Sequence, residues 1–465
     1  MKPKNKELAF VRPRLAVHVA EPGMRTHRGA VRCEIDKNVS FSTESLESYF
    51  FARWEPLAYD ALLVAAAAEF ADRTQKRSAY IWERELHLAI PVHEPDYWNN
   101  RSVADTLQDA LSFLTGDRWS VEFYKRSTPA SQPRQGLLGI NADVEAVIPF
   151  SNGLDSRAVA GLMRQELGDN LVRISLGTKV QEDEGLSNQR EAFTSVPYKV
   201  KAGDRRTVES TARSRGFKFA LISSLAAFLS GARQVIVPES GQGALGPALV
   251  PVGQAYEDFR SHPLFTKRME KFIKALLDYD MRLVFPRLWH TKAETLKAFV
   301  DACDPRSSWA GTWSCWQQNR QVSVDHKKRH CGICAACMLR RLSVHAAGLQ
   351  ESKERYVWEN LSAQTFFEGA ADSFPSQKIT RALHQYAIAG TLHFDHLAGL
   401  LNSPVNAHMI DLTTSQLGGA LALSAADVRS RLTRLLKQHS TDWTNFIHSL
   451  GQNSFIADWA VSGRS

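Results

Sequence analysis

The chain has 465 residues, 44% of them hydrophobic and 23% charged, with a formal net charge of +8. That length suits two or three domains with a sizeable core, and the composition excludes a disordered or fibrous chain. No apolar run is long enough to cross a bilayer, and the stretch after Met1 lacks the apolar segment of a secretory signal, so a cytoplasmic protein with no membrane partner is expected.

Residues 1–135 mix two periodicities. Leu15 to Val19 and Leu86 to Val92 have strand character, Trp119 to Tyr124 alternates as a strand does, and Leu57 to Ala71 and Val103 to Leu114 have helical spacing. This predicts an α+β domain, with partner recognition as its expected role. Ser127 to Gly136, rich in Pro, Ser and Gln, reads as a linker.

Over residues 140–350 the pattern becomes α/β. Val144 to Phe150 is a largely apolar run, Val159, Leu162, Met163 and Leu167 follow at helical spacing, and Leu171 to Leu176 is a second apolar run. A βαβ unit of this kind implies a parallel sheet with right-handed crossovers. Phe217 to Leu229 reads as a buried helix and Gln234 to Pro238 as another inner strand. Residues 355–465 read as a helical C-terminal region, with Val428, Leu432, Leu435 and Leu436 on one face. The basic runs, Lys327 to His330 and Arg205 to Arg215, read as solvated faces or as attraction for polyanions.

The turn after the first α/β strand is Ser151-Asn152-Gly153-Leu154-Asp155-Ser156. Gly153 lets the backbone approach a ligand, and the helix that follows presents unpaired N–H groups and a positive dipole end to an anion. The spacing is not that of a Walker A loop, and no Lys follows. The plain alternative is a strand-to-helix turn capped by Ser and Asp.

Four of the six cysteines cluster as C-x15-C-x2-C-x2-C: Cys315, Cys331, Cys334 and Cys337. Four thiolates so spaced can close a tetrahedral, structural zinc site, with an iron–sulfur cluster and free core cysteines as rival readings.

The hexapeptide resembles the Ser-Gly-Gly-x-Asp-Ser signature of the PP-loop pyrophosphatases, which cleave ATP between its α- and β-phosphates. Asn152 stands where that signature has its second glycine. Thr312-Trp-Ser-Cys-Trp316, Cys331-Gly-Ile-Cys-Ala-Ala-Cys337 and His290-Thr-Lys-Ala-Glu294 are similar to blocks of the QueC family, the 7-cyano-7-deazaguanine synthases. The resemblance covers residues 140–350 and implies a parallel-sheet PP-loop domain, adenine nucleotide alpha hydrolase-like, with a zinc knot. It implies that Ser151, Asn152, Gly153, Leu154, Asp155 and Ser156 hold ATP, that Asp155 positions Mg²⁺, and that Lys292 supports phosphate or substrate, with Asp155, Ser156 and Lys292 catalytic. Arg213, Arg215, Glu239, Gly241 and Gln242 would bind the substrate.

The family turns 7-carboxy-7-deazaguanine into its nitrile with ATP and ammonia, through an adenylated carboxylate. The added domains, the long cysteine spacer and Asn152 look more like the QueC-like proteins of antiphage systems, including Qat and type IV CBASS. There the same carboxylate is joined to the N-terminal amine of a partner protein. An AMP- and pyrophosphate-forming carbon–nitrogen ligase of this kind is the first expectation and a nitrile synthase using ammonia the second. A tRNA-modifying or RNA-binding PP-loop protein and a non-catalytic scaffold complete the alternatives, so nucleic acid is neither required nor excluded. Oligomeric state is left open.

Overall fold

The computed structural model describes residues 12–41, 56–78, 80–129, 143–151, 153–175, 198–202, 209–252, 255–303, 309–317 and 322–460. Asn152, Arg205 and most of the expected linker lie outside them.

The first sheet contains β1 (Arg14–Ala20), β2 (Val31–Glu34), β4 (Glu85–Val92) and β5 (Arg118–Lys125) in the order β2-β1-β4-β5. All its pairings are parallel. Helix α1 (Pro56–Thr74) precedes β4, and α2 (Arg101–Thr115) joins β4 to β5. This corrects the α+β expectation: the domain is α/β. The strand and helix periods were legible, but their alternation is what decides the class, because a helical crossover returns the next strand in parallel. Strand β2 and the short β3 (Val39–Phe41) had no apolar alternation to announce them.

A second four-stranded parallel sheet has the order β10-β9-β6-β7. It is built from β6 (Ala146–Pro149), β7 (Leu171–Ile174), β9 (Gln234–Ile236) and β10 (Arg282–Val284), and α3 (Leu154–Leu167) connects β6 to β7 as the βαβ pattern predicts. Strand β8 (Tyr198–Val200) instead pairs antiparallel with β3 and ties the second unit to the first.

Helices α4 (Arg215–Ser230) and α5 (Pro263–Leu277) carry the buried residues Phe217, Leu221, Leu225, Phe265, Met269 and Phe272. These share one apolar cluster with Leu62 and Phe70 of α1 and Leu107 and Leu111 of α2. The core is thus continuous between the two sheets. At the same boundary the buried Arg84 bridges Asp72 and Asp117 within the first unit, and Asp72 Oδ2 accepts the Ser214 N–H of the second at 2.8 Å.

Helices α6 (Lys292–Ala302) and α7 (Ala335–Ala346) lead to the C-terminal helices α8 (Arg381–Ala398), α9 (Ala407–Leu421) and α10 (Ala425–Leu450). Val428, Leu432, Leu435 and Leu436 are buried against Leu245, Leu249 and Leu288, as their spacing predicts. Between α7 and α8 the chain is largely irregular and packs by aromatic side chains, Trp358, Phe366 and Phe374. Among the described residues, no helix is long and apolar enough to cross a membrane.

Candidate functional site

In an open parallel sheet, ligands bind beyond the carboxyl ends of the strands where the strand order reverses. In the second sheet this is the crevice between the neighbours β6 and β9. The Ser151–Ser156 turn follows β6, and the Glu239–Gly243 loop follows β9.

The turn is held by its own hydroxyls. Ser156 Oγ sits 2.8 Å from the Ser151 carbonyl oxygen and accepts the Ser151 N–H at 3.2 Å, while Ser151 Oγ accepts the Gly153 N–H at 3.2 Å. A side chain on Gly153 would meet Ser151 Oγ at 3.1 Å. Gly153 is the N-cap of α3, so the unpaired N–H groups of the first helical turn open on the crevice, with Asp155 beside them. The Leu154 side chain turns the other way, into a cluster with Leu296 and Val344, which leaves only its backbone for a ligand.

Asp155 is where the loops meet. Its carboxylate accepts from Ser240 Oγ at 3.3 Å and is ion-paired with Lys292 Nζ, both side chains being mostly buried. Lys292 is the first residue of α6. The Thr291–Glu294 pair forms a capping box there, so the Thr-Lys-Ala-Glu block is a helix start that aims Lys292 into the crevice. Glu239 is half-buried; burial first, then the Asp155 charge, pushes its carboxyl up to about 8 against the opposing pull of Lys292 and Arg260.

The other sequence-predicted contacts have structural partners. Lys292 N–H donates to Gln242 Oε1 at 2.8 Å, and Gln242 Nε2 donates to His439 Nδ1 at 2.8 Å. His439 Nε2 in turn donates to the Phe394 carbonyl at 3.0 Å. Gln242 therefore joins the crevice to helix α10. Gly241 is required by packing, since a Cβ there would lie 2.2 Å from the Leu288 carbonyl oxygen. Arg213 is buried, pairs with Asp258 at 3.1 Å and donates to the Tyr256 carbonyl at 2.8 Å. Arg215 is exposed, with its guanidinium over the Phe219 ring. Sequence reasoning missed Arg260, which pairs with Asp258 and whose charge acts on Glu239. It sits in a loop with no motif to mark it.

The four cysteine sulfurs lie within 4.8 Å of one another, and all four residues are buried. Cys331 Sγ and Cys337 Sγ are 3.7 Å apart, close to the edge of about 3.8 Å for thiolates placed tetrahedrally about 2.3 Å from one ion. Cys315 Sγ accepts the Cys331 and Gln317 N–H groups at 3.2 and 3.3 Å, as a thiolate does. The donor set fits one metal ion such as zinc. Gly332, at φ +86°, makes the knuckle between the ligands, where a Cβ would lie 3.0 Å from the Trp358 carbonyl oxygen. Helix α7 begins inside the motif and carries Cys337. The fully buried Arg340, also missed in the sequence, pairs with Glu351 at 2.7 Å and donates to Thr312 Oγ1 at 2.7 Å. It thereby holds the Thr312–Cys315 strip, whose Trp313 carbonyl passes the Gly153 turn.

Residues 246–348 match the family model of the queuosine biosynthesis protein QueC. The 7-cyano-7-deazaguanine synthases of Brucella ovis, Brucella canis and Brucella suis are each 33% identical over 98 residues, 21% of this chain and 37% of theirs. The chain thus spans little more than a third of the length of these curated relatives. No solved structure matches. The QueC segment contains Lys292, Arg260 and the four cysteines, while the Ser151–Ser156 turn, Glu239, Gly241 and Gln242 lie before it.

Proposed function

We propose that this chain is a cytoplasmic ATP-dependent carbon–nitrogen ligase of the PP-loop type, which adenylates the carboxylate of 7-carboxy-7-deazaguanine and passes it to an amine. The observation that carries the reading is the ion pair between Lys292, inside the QueC segment, and Asp155, in the turn outside it. It gives one crevice both a QueC-like half and a phosphate-loop half. Ser151, Ser156 and the first N–H groups of α3 would hold the phosphates. Asp155 would hold Mg²⁺, which supplies charge neutralisation on the phosphates, and Lys292 would hold Asp155 in place. A carboxylate oxygen is a poor leaving group until adenylation converts it to AMP. The work of the crevice would be positioning and charge stabilisation. Arg260 is better placed than Arg213 to meet an anionic group beside Glu239. The cysteine cluster would hold zinc and brace the Trp313 strip.

The acceptor is proposed to be the N-terminal amine of a partner protein in antiphage defence, with ammonia and nitrile formation as the competing outcome. Purified enzyme with Mg²⁺ and ATP should release AMP and pyrophosphate only when the deazaguanine carboxylate is added. Asp155→Ala and Ser156→Ala should abolish this in protein that still folds, with a lowered unfolding temperature, because each change strips a mostly buried partner from Lys292 or from the Ser151 backbone. Mass spectrometry of proteins encoded nearby should show a deazaguanine amide, whereas accumulation of free nitrile with ammonia alone would select the other acceptor. ADP and orthophosphate as products would overturn the adenylation reading.

A further inference from the structure

The first sheet has a reversal of strand order of its own. The chain leaves β1 for β2 on one side and returns to β4 on the other, so the crevice beyond the carboxyl ends of β1 and β4 is the place where such a sheet binds ligands. The residues that follow its strands are Glu21 after β1, His93 after β4 and Arg126 after β5, and the first turns of α1 add Tyr59 and Asp60. These five side chains converge. Asp60 Oδ1 lies 2.7 Å from His93 Nδ1, and Asp60 Oδ2 accepts the His93 N–H at 2.9 Å. The Tyr59 ring stands edge-on to the His93 ring at 5.6 Å and carries the Arg126 guanidinium 4.2 Å from its centroid. Glu21 Oε1 is 3.4 Å from Arg126 Nε.

Two features point to a ligand. The Arg126 side chain is only 9% exposed, yet its Nη1 has no hydrogen-bond acceptor among the described residues. A buried guanidinium donor left unmade costs free energy that an anion would recover. His93 is in the same condition: the Asp60 carboxylate fixes the proton on Nδ1, and the buried Nε2 has no partner among the described residues. Its lone pair is thus presented as an acceptor. Glu21 approaches Arg126 only on its Nε side, while its two oxygens accept the Ser127 and Thr128 N–H groups at 2.7 and 2.8 Å, so Nη1 is left facing the crevice.

We propose that this crevice is a second small-molecule site, distinct from the Asp155 crevice, that takes a ligand bearing an oxyanion next to a hydroxyl or amine. Arg126 receives the oxyanion, carboxylate or phosphate, and His93 Nε2 accepts the hydrogen of the neighbouring hydroxyl or amine, held in that tautomer by Asp60.

The test uses the full chain with isotope-labelled histidine, the His93 ring signals being assigned by His93→Gln. Sodium phosphate and sodium acetate are titrated separately at constant ionic strength made up with sodium chloride. Because the readout is His93, anion binding at the Ser151–Ser156 turn does not register. A saturable shift of the His93 signals with either anion is expected, and the stronger of the two identifies the oxyanion. Arg126→Gln should weaken that binding at least about tenfold, and Arg126→Lys, which keeps the charge but loses the fork, should weaken it less. Should Arg126→Gln fail to fold, the Lys variant alone decides by the same comparison. His93 signals that respond to neither anion, or that respond equally in wild type and the Arg126 variants, would overturn the proposal.

Discussion

Glu239 shows how much a single residue depends on its surroundings. In the folded protein it keeps its proton up to about pH 8, whereas the unfolded chain releases it near 4.5. Across that window the folded state binds more protons, so this group lowers stability as the pH rises from about 5 to about 8. For a shift of this size the loss across the window is on the order of a few kcal/mol. Urea unfolding at pH 5.5 and pH 8 should show the loss in wild type and not in Glu239→Gln, and parallel curves for the two proteins would refute the assignment. Arg340 makes the complementary case for a buried charge. Replacing it by Ala leaves the largely buried Glu351 with only Arg355 and Tyr356 and frees the Thr312–Cys315 strip, at an expected cost of about 3 kcal/mol in the same assay.

Between elements, the critical join is the hydrogen-bonded line from helix α10 through His439 and Gln242 to the backbone of Lys292. His439 is buried and held well below its usual range, at about 4, chiefly by burial, so it is the neutral ring that bridges Phe394 and Gln242. His439→Ala leaves a buried amide and a buried carbonyl unpaired and should cost about 1–3 kcal/mol. It should also lower turnover on the order of tenfold by loosening Lys292. His439→Asn keeps an acceptor for Gln242 and should recover most of the turnover, which a purely structural defect would not allow. The cysteine knot is the second join. One zinc per chain is expected by metal analysis, and Cys334→Ala should reduce soluble yield before it touches chemistry. Iron in place of zinc, or folded protein without metal, would count against the assignment.

For the whole molecule, the continuous core between the two sheets has a direct consequence. Removing residues 1–129 would expose the faces of α4 and α5 that pack on α1 and α2, and would strand Ser214 and Glu209 without Asp72 and Arg77. The remainder is expected to be insoluble, and the intact chain to show one cooperative transition for both sheets in calorimetry. Two well-separated transitions would mean that the shared core contributes little. Probing the first unit is therefore better done by Arg126 and His93 substitutions than by truncation.

The chemistry-bearing local features were legible because they are short-range: a turn between a strand and a helix, a cysteine spacing, and the helical stripe of Val428, Leu432, Leu435 and Leu436. Each is decided within a few residues by hydrogen bonding and periodicity. What the sequence could not show is which distant groups face one another. Asp155 and Lys292 are 137 positions apart, and Gln242 and His439 are 197 apart. Gln242 and Arg213 look like ligand contacts in sequence, and only tertiary packing commits them to His439 and Asp258. Arg260, Arg340 and the Asp60–His93–Arg126 group carry no local signature, because burial and opposing charge, which give them their character, arise only when separate elements close around them.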